Sequence, residues 1–253
     1  MRPYYDRDGI TIYCGDCRAI LPTLEAGSVD LIFADPPYSE VSLAWDALVN
    51  GWLPHAERVL NASGSLWCFG SFKYFMRTLD NYAQDWKHAQ EIIWEKHNGS
   101  GFLNDRFRRV HELLVQFYPA RNRWSDIYKN PQYTSDETKP TRRTKRRPTH
   151  FGSLDAAPYE SQDGGPKLMR SVQYVRSCHG YAVHPTQKPE GIVRPAIAYS
   201  LPPGGLLVDP FAGSGTSLVV ARELGARAIG IELHEEDCAI AVRRLECYAC
   251  ADS

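Results

Sequence analysis

The chain has no long apolar run. Its longest uninterrupted hydrophobic stretches are too short to cross a bilayer. Its first residues, Met1-Arg2-Pro3-Tyr4-Tyr5-Asp6, lack the build of a secretory signal. Seven cysteines are an odd count, which excludes a full disulfide framework and suits reduced thiols. These absences give the expectation of a cytoplasmic protein with no membrane partner. No internal repeat and no nuclease motif is present. Net charge is scarce as well, −1 over 253 residues, but that balance hides a segregation. Between Lys96 and Arg147 stand 13 Lys/Arg against 5 Asp/Glu, which leaves 16 basic and 25 acidic residues elsewhere. A solvated basic loop is the plain reading. A nucleic-acid-binding face on an otherwise acidic protein is the functional one.

Hydrophobic content of 43% is enough to fill the core of one substantial domain. Apolar runs over Gly9–Cys14, Val29–Ala34, Ser65–Phe69, Ala89–Trp94, Glu112–Tyr118, Ser171–Val175, Leu206–Asp209 and Ala228–Glu232 read as strands. Helical periodicity covers Asp46–Leu60, Phe72–Ala83, Pro189–Leu201, Ser217–Leu224 and a last helix ending near Cys247. Asn61-Ala62-Ser63-Gly64 reads as a turn. Strands alternating with helices imply a mostly parallel α/β sheet covered on both faces. Between Pro119 and Pro166 six prolines and the run Lys139-Pro140-Thr141-Arg142-Arg143-Thr144-Lys145-Arg146-Arg147 erase the periodicity. The expected organisation is therefore a domain of residues 1–118 and 170–253, interrupted by an irregular basic insertion at 119–169.

Two strand ends carry chemistry. After Val29–Ala34 comes Asp35-Pro36-Pro37-Tyr38. Its prolines stop the ladder and stiffen the turn, fixing where the Asp35 carboxylate and the Pro36 carbonyl point. Two acceptors beside an aromatic ring suit a planar base with an exocyclic amine, which donates two hydrogen bonds and stacks on Tyr38. A rigid strand end with a capping acid is the plainer alternative. The second strand end is Asp209-Pro210-Phe211-Ala212-Gly213-Ser214-Gly215-Thr216, a glycine-rich turn opening a helix, where backbone can approach a ligand closely. Glu232 ends the next strand, at the place from which an acid binds a ribose diol. No Lys follows Gly-Ser-Gly-Thr and no G-x-G-x-x-G is present, so P-loop and dinucleotide patterns both fail. An adenosine ligand without a pyrophosphate fits better.

These motifs, with His184-Pro185-Thr186-Gln187-Lys188-Pro189 between them, resemble the β-class DNA amino-methyltransferases. In that family the Asp-Pro-Pro-Tyr motif precedes the cofactor motif. The resemblance covers about residues 9–118 and 170–247. It implies a circularly permuted Rossmann-like sheet, S-adenosyl-L-methionine (AdoMet) as cofactor and double-stranded DNA as substrate. Asp35, Pro36, Pro37 and Tyr38 are the expected catalytic residues. Asp16, Asp35, Thr186, Gln187, Lys188, Asp209, Phe211, Ala212, Gly213, Ser214, Gly215, Thr216 and Glu232 are the expected cofactor residues. Lys188 is assigned to the methionine carboxylate, Asp209 to bracing the turn or to the methionine amine, and His184 to a structural role. Asp16 is either an adenine contact or a helix cap. Arg106, Arg108, Arg109, Arg121, Arg123, Lys139, Arg142, Arg143, Lys145, Arg146 and Arg147 are the expected DNA contacts.

Asp at the first motif position is typical of N6-adenine members, whereas N4-cytosine members more often carry Ser; both bases present the same kind of amine. A catalytically silent DNA-binding module and a nicotinamide-dependent enzyme are the readings from other classes. The first contradicts the intact motifs and the second the missing dinucleotide pattern. The resemblance leaves open a homodimer and a separate restriction endonuclease as partners. Cys14-x-x-Cys17 and Cys247-x-x-Cys250 have a zinc-like spacing, but no metal is expected. A five-residue strand, about 17 Å long, separates the two ends of the sheet where the pairs are placed, whereas zinc needs every sulfur at about 2.3 Å.

Overall fold

A computed structural model describes residues 2–40, 46–100, 105–134 and 166–249. The chain divides into two compact units, Met1–Asn130 with Ser171–Ser253, and Pro131–Arg170. The expected insertion starts at 119, but residues 119–130 belong to the first unit. Tyr128 N–H donates to Ser63 O at 2.9 Å and Asn130 N–H to Tyr199 O at 2.8 Å, tying that stretch down. Within the second unit, Tyr133 and Leu168 form an antiparallel bridge.

Among the described residues the first unit holds nine strands: β1 (Tyr5–Arg7), β2 (Ile10–Cys14), β3 (Val29–Ala34), β4 (Leu60–Gly70), β5 (Trp86–Ser100), β6 (Arg109–Pro119), β7 (Val172–Tyr174), β8 (Leu206–Asp209) and β9 (Arg227–Glu232). They form one sheet in the order β1-β2-β9-β8-β3-β4-β6-β5-β7. The core run β2-β9-β8-β3-β4 is parallel, and β6 is antiparallel to both β4 and β5. The last strand, β9, pairs with β2 near the chain's start, from Ile10 opposite Ala228 to Cys14 opposite Glu232, as a permuted order requires.

The helices are α1 (Cys17–Ile20), α2 (Leu53–Val59), α3 (Phe72–Ala83), α4 (Glu190–Ser200), α5 (Thr216–Glu223) and α6 (Glu235–Ala249). Side chains alternate across a strand, so the apolar run of β3 serves two cores. Leu31 and Phe33 pack with Ile192, Ile197, Leu218 and Leu245 from α4, α5 and α6. Ile32 and Ala34 pack with Ile20, Leu53, Val59 and Tyr74 from α1, α2 and α3. Buried on both faces, the sheet reads in the sequence as continuous rather than alternating hydrophobicity.

Two expectations need correction. The helix expected over Asp46–Leu60 is confined to Leu53–Val59. Gly51 lies at φ +83°, outside the helical region. Asp46 instead accepts the Ser39 N–H at 2.8 Å and the Glu40 N–H at 2.6 Å, fastening the end of the Asp35–Tyr38 turn. The turn expected at Asn61–Gly64 lies inside β4 as an irregularity of the ladder, since Val29 is opposite Leu60 but Leu31 is opposite Ser65. Asn61 Nδ2 donates to Asp30 Oδ1 at 2.7 Å, and a Cβ on Gly64 would stand 3.0 Å from Asp30 O. The extra residues fit because the backbones approach so closely there.

Candidate functional site

A parallel sheet delivers the residues after its strands to one edge. Asp16 after β2, Asp35–Tyr38 after β3, Phe211–Ser214 after β8 and Glu232 at the end of β9 all line a single cleft of about 1100 Å³. Because β6 is antiparallel to β4, its first residues, Arg109 and Glu112, reach the same edge. Trp94 of β5 pairs with Glu112, so Trp94 and Lys96 arrive there too. Residues 184–188, before α4, close another side.

At the Asp35 end, Tyr38 donates its hydroxyl to Asp35 Oδ1 at 2.8 Å and Lys188 donates its ammonium to Oδ2 at 2.7 Å. The Lys188 nitrogen also stands 3.5 Å from Glu112 Oε2, and Lys96 binds Glu112 Oε1. Lys188 lies against the rings of Phe69, at 5.0 Å, and Tyr38, at 5.6 Å. Burial alone would pull the Lys188 amine down; the carboxylates of Asp35 and Glu112 outweigh it and hold the amine above its ordinary value. Burial likewise pushes Glu112 up, and Lys188 and Lys96 bring it below the usual carboxylate range. Burial and then the Asp35 charge lift the Tyr38 hydroxyl well above its ordinary value, so Tyr38 remains a phenol donor. Lys188, expected at a methionine carboxylate, is held here by the two acids.

At the other end, Gly213 (φ +48°) and Gly215 (φ +74°) turn the chain into α5. Glu232 accepts the Gly213 N–H at 2.8 Å and the His234 N–H at 3.0 Å, using one lone pair of each oxygen and leaving others for a diol. Asp209 is buried and braces the turn, accepting the Phe211 N–H at 2.9 Å and the Ser217 hydroxyl. Burial pushes its carboxyl up to about 7, against the pull of those two donors; Asp35 and Glu232 add to the rise. Arg244 of α6 fixes the turn from behind, donating to Ser214 O and to Thr216 Oγ1, both at 2.9 Å. Phe211 meets Trp52 edge to face at 5.3 Å.

The other expected residues divide clearly. Asp16 caps α1 through the Arg18 N–H at 2.8 Å while also lining the cleft. Gln187 Oε1 accepts the Val183 N–H at 3.0 Å, and Thr186 N–H donates to His184 Nδ1 at 3.3 Å, so this segment braces itself. Gly215 does not line the cleft; a Cβ there would stand 2.9 Å from the Ala241 Cβ, so its role is to let α5 meet α6. Arg109 lies at the cleft, paired with Glu40 at 2.8 Å. Arg106 is exposed and paired with Asp105 at 2.8 Å, with Arg108 and Arg123 also exposed. Arg121 binds Glu57 and donates to the Glu57 and Leu60 carbonyls at 3.0 and 3.1 Å, which fastens the end of α2. Lys139, Arg142, Arg143, Lys145, Arg146 and Arg147 lie outside the described residues. Sequence reasoning missed Glu112, Lys96, Trp94 and Arg244. The available signal for Glu112 was a carboxylate at the head of an apolar strand.

The chain belongs to the N6/N4 DNA methylase family, whose model matches residues 29–243. Among curated relatives, the type II methyltransferase M.HinfI of Haemophilus influenzae is 29% identical over 268 aligned positions, covering 93% of this chain and 68% of that protein. The type II methyltransferase M2.DpnII of Streptococcus pneumoniae is also 29% identical, over 97% of this chain and 92% of that protein. Among solved structures, M1.HpyAVI in complex with SAM superposes with a TM-score of 0.62 at 21% identity, covering 93% of this chain and 99% of that one. The cytosine-N4-specific PvuII DNA methyltransferase gives 0.66 at 15% identity, over 95% and 88%. These two structures establish the shared Rossmann-like fold. Family membership makes the chain a DNA methyltransferase with AdoMet as its cofactor. The cleft fits that group: an acid ends β9, a glycine turn opens α5, an aromatic ring flanks them, and the volume exceeds that of a single small ligand.

Proposed function

We propose that the protein is a site-specific DNA methyltransferase that methylates the exocyclic N6 of an adenine flipped out of double-stranded DNA, in the cytoplasm. The observation that carries this reading is the seating of Asp35-Pro36-Pro37-Tyr38 at one end of the cleft whose other end holds Glu232 and the glycine turn. Two adjoining subsites suit a nucleoside cofactor and an extruded base. The Asp at position 35 supports adenine. Phe107, fully exposed between Arg106 and Arg108, supports a DNA-facing edge. The type II relatives support a restriction-modification setting with a separate endonuclease.

The amine of the target base donates one N–H to Asp35 and the other to the Pro36 carbonyl. Each Asp35 oxygen already holds one donor and retains a lone pair for the amine. Bonding both hydrogens draws the nitrogen towards tetrahedral geometry and localises the lone pair that conjugation otherwise ties to the ring. Tyr38 stacks on the base, worth about 1–3 kcal/mol. Glu232 would hold the ribose diol of AdoMet, and Phe211 would flank the bound cofactor. AdoMet supplies a methyl on a sulfonium whose leaving thioether is neutral, so no acid is needed. The remaining catalysis is in-line positioning, worth roughly 7–11 kcal/mol in favourable cases.

The test incubates the protein with labelled AdoMet and unmodified genomic DNA, followed by digestion and mass spectrometry of nucleosides. N6-methyldeoxyadenosine is the expected product, and Asp35→Ala lowers the rate by about 10²–10⁴-fold. N4-methylcytosine would reverse the choice of base while keeping the mechanism. No methylated base on any DNA would refute the reading.

A further inference from the structure

Four charged side chains meet in the inner wall of the cleft, and the mechanism above uses only Asp35. Lys188 Nζ stands between two carboxylates, 2.7 Å from Asp35 Oδ2 and 3.5 Å from Glu112 Oε2. Glu112 Oε1 is bound by Lys96. Glu112 Oε2 is buried and accepts no hydrogen bond. A buried carboxylate oxygen left in that condition is costly unless a charge faces it. The ammonium that faces it is held by another acid, Asp35.

We propose that Glu112 is a positioning residue for methyl transfer, which shares the Lys188 ammonium with Asp35 and takes it over when Asp35 receives the proton shed by the methylated amine. The inference rests on the proposed function only in requiring that an exocyclic amine, of either base, donates to Asp35. Once the methyl has moved, the nitrogen is cationic. Its N–H bond breaks, the bonding pair stays on nitrogen, and the proton forms an O–H bond on Asp35. The neutral carboxyl no longer holds an ammonium well, and an unpaired buried cation would oppose the step. Closing the Lys188–Glu112 gap from 3.5 Å to about 2.8 Å supplies a partner of full charge. The proton then passes to water, Asp35 ionises, and Lys188 returns. The groups facing Lys188 are Asp35 after β3, Glu112 on β6, and the rings of Tyr38 and Phe69. The elevated Lys188 amine and depressed Glu112 carboxyl agree with a shared ammonium.

Glu112→Gln keeps the side chain's shape and removes its charge. The expected result is a kcat about 10–100-fold lower, with KM for AdoMet and for DNA unchanged. Because the single variant leaves a buried cation in excess, Glu112→Gln/Lys96→Met is measured beside it, restoring the charge count. A double variant that melts like the natural protein yet keeps the low kcat supports positioning. Recovery of full kcat would show that Glu112 only balances charge, and would overturn the proposal. A second readout needs no turnover: lysine side-chain ¹⁵N NMR of the free protein. Lys188 is expected to lose its proton at lower pH in either variant; an unmoved titration overturns the proposal. If the natural protein methylates no DNA, the proposed function fails alone, and the NMR titration still decides whether Glu112 shares the ammonium.

Discussion

Replacing Asp209 by Asn gives the most quantitative consequence of the site's electrostatics. Asp209 is 4% exposed, and burial carries its carboxyl from an ordinary 3.8 to about 7. The folded protein therefore binds this proton more tightly than the unfolded chain does. Between the two values the folded state carries the proton and the unfolded state does not, so stability falls as pH rises, at about 1.4 kcal/mol per unit. The difference of about 3 units amounts to about 4 kcal/mol lost by pH 7 and beyond. Asn is nearly isosteric. It still accepts the Phe211 N–H, and its amide donates to Ser217 Oγ in place of the bond that hydroxyl now gives. Urea unfolding of both proteins at pH 5, 6, 7, 8 and 9, without AdoMet, measures the effect. Taking the difference between them cancels the other titrations. The expected result is an Asn variant more stable than the natural protein above pH 7, with an advantage that shrinks steadily towards pH 5. An advantage independent of pH, or a natural protein that is the more stable at pH 8, would refute the reasoning.

Gly215→Ala combines a left-handed backbone, costing about 1–2 kcal/mol for an L-residue, with a Cβ 2.9 Å from that of Ala241. A loss of about 2–3 kcal/mol is expected, read as a fall in Tm of about 4–10 °C. Gly213→Ala, whose Cβ would meet nothing within 4 Å, should lose less; equal losses would dismiss the helix-contact argument. Changing Lys139, Arg142, Arg143, Lys145, Arg146 and Arg147 to Gln should weaken binding to all DNA sequences and flatten the salt dependence, by up to about 5 in log–log slope if all six touch phosphate. An unchanged slope in a binding titration would remove the run from the interface.

The glycine turn, the Asp-Pro-Pro-Tyr turn and the parallel strands were legible because each is local. Strand ends announce themselves by Pro and Gly after an apolar run, and buried parallel strands by the run itself. The helix over Asp46–Leu60 failed for the same local reason: its apolar spacing was right, but Asp46 had a better use for its carboxylate seven residues back along the chain. Glu112 and Lys96 escaped because their meaning depends on β6 and β5 being antiparallel, which brings the start of one strand and the far part of the other to the active edge.

The sequence by itself determined the class of fold and the order of the motifs, since apolar runs and the turns that end them are written locally. Which acid holds which lysine was decided only by tertiary structure. Lys188 and Asp35 are 153 positions apart, and their pairing at 2.7 Å exists only after the sheet has gathered its strand ends at one edge. Lys188 and Glu112 are largely withdrawn from water there, so the charges beside them set their protonation, and proximity is a property of the fold.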